Sequence, residues 1–397
     1  MASTTDRAAA PAGGSLASRQ TVPVSHPDVA LIEQAHSALR WWAQQLPSRP
    51  TSSVTGGGAV AAVEESLSQQ LGGRRVVALP NATFGLRVAL RCAGVTPGDD
   101  VLVSGVDWPA ATAAVVELGA EPIAVPVSPD SLTIDPGAAA RLKTPTTTAV
   151  VATHLHGVPA DVPALRQAVG GKLAVVEDAA QALGSAFGED PVGTLGHYAV
   201  FSLGPGKTAS AGELGLLACA DRDGWLRALR ASQHPVRQLL GGVVDPREDV
   251  FIGRPAPLAA LLGAYQLTRW QRQAEVLRRA ERPVRHAMYA HGIQVLGRPL
   301  QRSQPGHIPV LLPPGQDDRV LGEALADLLT RSDWAGTIRL AWRSSGAKVS
   351  QTLTEFDRRR SAALVERVRV IELSVADNLA GPTGRPARRG TRWARRS

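Results

Sequence analysis

Only four of the 43 basic residues in this 397-residue chain are lysines: Lys143, Lys172, Lys207 and Lys348. Positive charge is otherwise carried by arginine, which neither loses its proton at working pH nor forms a Schiff base. A lysine in an apolar, glycine-rich setting therefore points to amine chemistry, and Lys207 in FSLGPGKTASAGELG (201–215) has that setting. A strand reading FSL runs into the loop, so Lys207 falls just past a carboxyl strand end, the edge at which open α/β sheets place ligands. The phosphate-cradling pattern GxxxxGK[ST] is not met, because the upstream glycine is missing, and this argues against an ATPase. Alone, Lys207 reads equally well as a solvated loop lysine.

Two further segments give it a use. In LAVVEDAAQALGSAFG (173–188), Asp178 ends an apolar strand between residues that offer no charge partner. A carboxylate buried there is unfavourable unless a cation meets it. A protonated pyridine nitrogen is such a cation, and the pairing keeps a pyridoxal ring electron-withdrawing. Gln181, three residues on, falls on the same side of an expected first helical turn, within reach of the ring hydroxyl. The competing reading of Asp178 is a cap for that helix. In VVALPNATFGLRVAL (76–90) a strand turns at Asn81-Ala82-Thr83 straight into a helix. The free amides of that helix start, with the Thr83 hydroxyl, make an anion seat suited to a phosphate.

The elements that must hold these residues are legible as alternating apolar runs and helical stretches between Arg75 and Asp221. Strands are expected at 75–79, 100–104, 121–127, 148–155, 173–180, 198–203 and 214–220. Several lack polar alternation, as strands covered on both faces do. Helices are expected at 83–93 and 162–169, with a long tract over 257–286 leading out of the large domain. Beyond it, strands at 307–313 and 335–342 and a helix over about 356–370 predict a smaller α+β domain. The division expected is an N-terminal disordered arm (1–21), a large domain (22–267), a small domain (268–375) and a disordered arginine-rich tail (376–397).

Hydrophobic residues make up 44% and charged residues 20% of the chain, near globular averages, which excludes wholesale disorder and a fibrous fold. The net charge of +8 is mostly a tail property: residues 381–397 hold six arginines and no acid. That end is read as solvated; contact with nucleic acid is the minority reading, since no nucleic-acid module accompanies it. No segment is long and apolar enough to predict a membrane span. Cys92 and Cys219 lack metal-ligand spacing and fit a reducing cytoplasm, and no metal site is expected.

As a set, NATFGL, VTPGDDVLV, VDWPAATAAVVELGAEPIAV, THLHGVPADV, VVEDAAQALGS, the FS…K…GE element and LLGAYQL resemble the DegT/StrS-type nucleotide-sugar aminotransferases, fold-type I enzymes that use pyridoxal 5'-phosphate. The resemblance runs over roughly residues 22–375. It implies a large domain with a mostly parallel sheet covered by helices, a small C-terminal α+β domain, and a homodimer. It implies that Lys207 carries the cofactor and shuttles the proton, which requires a neutral amine. Asp178 would hold the pyridine nitrogen and Gln181 the ring oxygen. Ser202, Thr83 and the Ala82 amide would hold the phosphate, and Trp108 would stack on the ring, although core packing is the ordinary reading of a lone tryptophan. The implied donor is glutamate or glutamine, and the acceptor a keto sugar, keto cyclitol or related ketone.

Several positions depart from the family pattern. Ala82 replaces a glycine, Thr208 an asparagine after the lysine, and Leu214 a glycine. Ile252 replaces an asparagine that in relatives reaches the partner subunit's phosphate. Two other readings stay open on sequence: a non-catalytic homologue serving as a binding or scaffold partner, and a lyase or dehydratase using the same cofactor. Retention of Lys207 favours amine transfer over dehydration.

Overall fold

The computed structural model describes residues 27–45, 54–248, 250–331, 338–344 and 346–375. The expected arm at 1–21 and the tail at 376–397 lie outside the described residues. Seven strands form the main sheet in the order Arg75–Leu79, Gly215–Cys219, Tyr198–Ser202, Ala174–Asp178, Thr147–Thr153, Asp100–Ser104, Glu121–Val125. Gly215–Cys219 runs antiparallel to both its neighbours, and every other pairing is parallel. Six of these strands fall within predicted runs, Thr147–Thr153 starts one residue before its run, and the trimmed ends are mostly carboxyl ends. There the chain leaves the ladder to satisfy side chains: Asp178 Oδ1 accepts from the Ala180 amide, and Gln181 Oε1 from the His156 amide.

The absence of polar alternation has the expected cause. Val76 and Ala78 face one core while Val77 and Leu79 face another, and the same split divides Ala199 and Phe201 from Tyr198 and Val200. Helices Ala59–Gln70 and Pro257–Ala290 cover the first face. Ala82–Cys92, Ala110–Glu117 and Arg222–Ser232 cover the second. Full burial of each Leu or Val contributes about 1.5–3 kcal/mol, so the sheet is a rigid platform for whatever its carboxyl ends carry.

The helix Pro257–Ala290 is four residues longer than expected and runs straight through the expected 267/268 boundary. Beyond it lies a four-stranded antiparallel sheet, Gln294–Val295, His307–Leu311, Val368–Val375 and Ile338–Ser344. One expectation fails here. The helix predicted over 356–370 ends at Arg367, and the chain continues as the strand Val368–Val375 between two partners. Val368, Val370, Ile371 and Leu373 are buried, so pairing and burial override the helical propensity of the preceding segment. The helices Pro27–Gln45 and Ala59–Gln70 were not anticipated either. Among the described residues no helix is long and apolar enough to cross a membrane.

One glycine is fixed by close approach rather than by a turn. A Cβ on Gly215 would stand 2.3 Å from the Asn81 carbonyl oxygen, so only glycine lets the start of Ala82–Cys92 lie against its neighbouring strand. We expect Gly215→Ala to cost about 1–3 kcal/mol by overpacking. Gly171→Ala, where a Cβ meets nothing within 4 Å, should stay within about 0.5 kcal/mol of wild type. Urea denaturation of both variants checks this; equal midpoints would contradict it.

Candidate active site

Successive strands of the main sheet end in polar residues on one edge. Asp178 closes Ala174–Asp178, Thr153 closes Thr147–Thr153, and Ser202 closes Tyr198–Ser202. Asn81, Ala82 and Thr83 follow Arg75–Leu79, and Asp107 lies just beyond Asp100–Ser104 in the short strand Val106–Asp107.

Asp178 is 6% exposed. Burial pushes its carboxyl above the ordinary range, and the Ala180 amide, the Lys207 charge and His154 only partly offset this. The structure thus brings Lys207 and Asp178 into electrostatic reach. The carboxyl caps no helix: residues 179–184 form turns, and Asp178 accepts from the amide two residues on, an Asx-type turn. Gln181 therefore sits in a turn rather than on the expected helix. Its Oε1 accepts the His156 amide at 2.9 Å, which leaves the NH2 end of the amide as the donor.

Lys207 is half-buried on a loop stapled at its base. Leu203 N donates to Leu214 O, Ala211 N to Leu203 O, and Lys207 N to Gly204 O. Ser202 Oγ accepts from Gly204 N at 3.2 Å. Leu214, which departs from the family pattern, is fully buried and supplies one of those staples through its carbonyl.

A helix starts directly after Asn81, at the position expected for the anion seat. Asn81 caps Ala82–Cys92 by accepting from the Phe84 amide at 2.9 Å. The first-turn amides have no intrahelical carbonyl to bond, and Thr83 is exposed beside them. This seat stands two strands along the sheet from Ser202, with Gly215–Cys219 between. Ile252 is exposed, and its neighbour Phe251 stacks on Phe84 at 5.7 Å between centroids. Trp108 is 57% exposed, so it is not a core residue; its amide donates to Asp107 Oδ1 at 2.6 Å.

Sequence reasoning missed three features. Gln304 is buried and ties the loops together: its amide NH donates to Gly157 O, its Oε1 accepts from Leu183 N at 3.0 Å, and its Nε2 donates to Thr208 Oγ1 at 2.8 Å. Gly157 is required beneath it, since a Cβ there would meet the Gln304 Cβ at 2.6 Å. His154 and Glu177 form a second buried pair. His154 Nδ1 accepts from Ala160 N, and its Nε2 meets Glu177 Oε2 at 3.1 Å. Burial would raise the Glu177 pKa, but His154 and the amides of Gly193 and Gly196 bring it below the ordinary range. This carboxylate is a satisfied brace. The third feature is Asp107, whose side chain is 7% exposed and accepts from Thr153 Oγ1 at 2.6 Å. Only its place beside Trp108 in the quoted stretch hinted at it.

A group with a cationic ring nitrogen, a carbonyl carbon and an anionic tail matches these residues: a buried carboxylate lacking full compensation, an amine nearby, and a helix N-terminus on the same edge. Pyridoxal phosphate is such a group.

Known proteins resemble this chain in sequence and fold. Residues 47–304 match the DegT/DnrJ/EryC1/StrS aminotransferase family. The L-glutamine:2-deoxy-scyllo-inosose aminotransferase of Micromonospora echinospora is 32% identical over 57% of this chain and 55% of its own length. The L-glutamine:scyllo-inosose aminotransferase of Streptomyces griseus is 37% identical over 43% and 41%. The chain thus spans about half the length of these curated relatives. Among solved structures, a DegT DnrJ EryC1 StrS aminotransferase from Brucella abortus superposes with a TM-score of 0.68 at 19% identity, covering 90% of this chain and 94% of that one. The 3-amino-5-hydroxybenzoic acid synthase superposes at 0.66 with 22% identity, covering 86% and 90%. These likenesses establish the fold, the fold-type I α/β architecture with its mostly parallel sheet.

Gln304→Leu leaves the Leu183 amide and the Thr208 hydroxyl without that partner. The expected loss is about 1–3 kcal/mol of stability, read by chemical denaturation; an unchanged midpoint would show that the bridge carries no load.

Proposed function

Since the chain belongs to the DegT/DnrJ/EryC1/StrS aminotransferase family, we propose that it is a pyridoxal-phosphate-dependent aminotransferase that moves an amino group from glutamine or glutamate to a keto cyclitol or keto sugar. The observation that carries the reading is the convergence of Lys207 on the buried Asp178 at one sheet edge. The scyllo-inosose aminotransferases at 32% and 37% identity support glutamine as donor and a keto cyclitol as acceptor.

When bound, pyridoxal phosphate supplies an electron-withdrawing ring that stabilises negative charge at the carbon bearing the amine. Asp178 would hold the proton on the ring nitrogen. Gln181 would donate to the ring oxygen and Trp108 would cover the ring. The Ala82 amide with the Thr83 and Ser202 hydroxyls would hold the phosphate. Lys207 Nζ is the amine that would hold the cofactor and, when neutral, would act as base and acid for the proton moved between donor and acceptor carbons in the two halves of the reaction.

The working unit in this reading is a homodimer, supported by the exposed apolar side chains of Leu239, Leu240, Val244 and Phe251 in one segment. The two cysteines are free and buried, in keeping with the cytoplasm as its compartment.

The test is a pair of half-reactions. Added pyridoxal phosphate should give a visible absorbance band that L-glutamine discharges and a keto cyclitol restores, with amine found on the acceptor. Lys207→Ala should abolish the band and lower turnover by at least about 10²–10⁴-fold. A chain that binds the cofactor without passing an amine would be a scaffold or a lyase, and Lys207→Ala turning over normally would end the proposal.

A further inference from the structure

Asp178 is one of two carboxyls at this end of the sheet. Asp107 lies beyond Asp100–Ser104, whose neighbour is Thr147–Thr153, whose next neighbour is Ala174–Asp178. Thr153 pairs in register with Asp178, and its hydroxyl donates to Asp107 Oδ2 at 2.6 Å. Thr153 thus stands between two acids, all three of them buried. The other Asp107 oxygen accepts from the Trp108 amide, so the carboxyl is fixed on both sides and directly precedes the tryptophan assigned to the ring face.

We propose that Asp107 is a second carboxyl of the ring-nitrogen site, a positioning residue that acts through Asp178 and sets how firmly the pyridine nitrogen keeps its proton. This rests on the reading that the site binds pyridoxal phosphate, and it names a residue which that reading does not use. The charged group that acts on Asp107 is Asp178, which in turn feels Lys207 on the loop and His154, the partner of Glu177. Lys348, exposed to solvent, stands opposite Asp107 in the short pairing of Val106–Asp107 with Lys348–Val349. Burial raises both carboxyls; the Lys207 charge partly offsets this for Asp178, whereas the Asp178 charge pushes Asp107 further up. Asp107 is therefore the member of the pair pushed further toward its protonated form. Two close carboxyls titrate as a pair, and the second proton leaves late.

The consequence has a definite sign. A cationic ring nitrogen beside Asp178 favours loss of the Asp107 proton, so cofactor binding and deprotonation of Asp107 promote one another. Affinity for pyridoxal phosphate should tighten as pH rises through the Asp107 titration, above the ordinary carboxyl value of about 4. In the cofactor-free chain the effect is opposite. A carboxyl whose folded pKa is raised binds more protons folded than unfolded, so stability falls as pH climbs from about 4 toward the folded value.

The experiment compares wild type, Asp107→Asn and the smaller Asp107→Ser in two measurements: pyridoxal phosphate affinity by absorbance titration from about pH 5 to 9, and the melting temperature of the cofactor-free chain over the same range. Wild type should show a step of roughly tenfold in affinity for each pK unit of coupling, together with a declining melting temperature. Both slopes should flatten in whichever variants fold. Identical pH profiles in wild type and variants would overturn the role of Asp107 while leaving the aminotransferase reading intact. Failure of wild type to bind pyridoxal phosphate at any pH would overturn both.

Discussion

A carboxylate taken out of water at the end of a buried strand is the constraint on which the site depends. Asp178 cannot be moved toward solvent without breaking the registered pairings of Ala174–Asp178 with strands on both sides. Burying it without a full counter-charge is costly, and the nearest cationic help comes from Lys207. In the proposed function a cationic ring nitrogen would supply the missing charge, and the lysine on the adjoining loop would react with what that ring carries.

The surrounding structure holds this arrangement rigid. Glu177, adjacent in sequence to Asp178, points to the opposite face and is braced by His154 and three backbone amides. The two successive acids thus meet opposite fates: Glu177 is held below the ordinary carboxyl range by its partners, while burial holds Asp178 above it. His156 adopts a left-handed backbone (φ 54°) in the turn that presents its amide to Gln181. Strain of that kind in a buried non-glycine residue persists only where neighbours enforce it. Gln304 does so from the far side of the Pro257–Ala290 helix, bonding Gly157, Leu183 and Thr208 together. The loop that carries Lys207 is thereby coupled to the smaller sheet, since Thr208 also meets His307 at 3.3 Å.

Residues with one chemical use were legible in the sequence. Lys207 stands out because arginine does almost all other cationic work, Asp178 because it interrupts an apolar run, and Asn81 to Thr83 because a strand meets a helix there. The seven strands were legible because burial on both faces writes continuous apolar runs. What stayed hidden depends on neighbours far apart in the chain. Asp107 gains meaning only when the sheet order sets Thr153 between it and Asp178, and Gln304 only when the loops it bonds are brought to it. The strand Val368–Val375 looked like the tail of a helix because its partners, not its own residues, decide its conformation. The Gln181 turn was mistaken for a helix start for a similar reason: the Asp178 side chain captures the Ala180 amide and ends regular structure at that point.

The most direct measurement is nitrogen NMR of the chain loaded with pyridoxal phosphate labelled with ¹⁵N in the ring. The ring nitrogen should be protonated in the wild-type chain and unprotonated in Asp178→Asn. An unprotonated nitrogen in wild type, or a signal indifferent to the loss of the Asp178 charge, would contradict it.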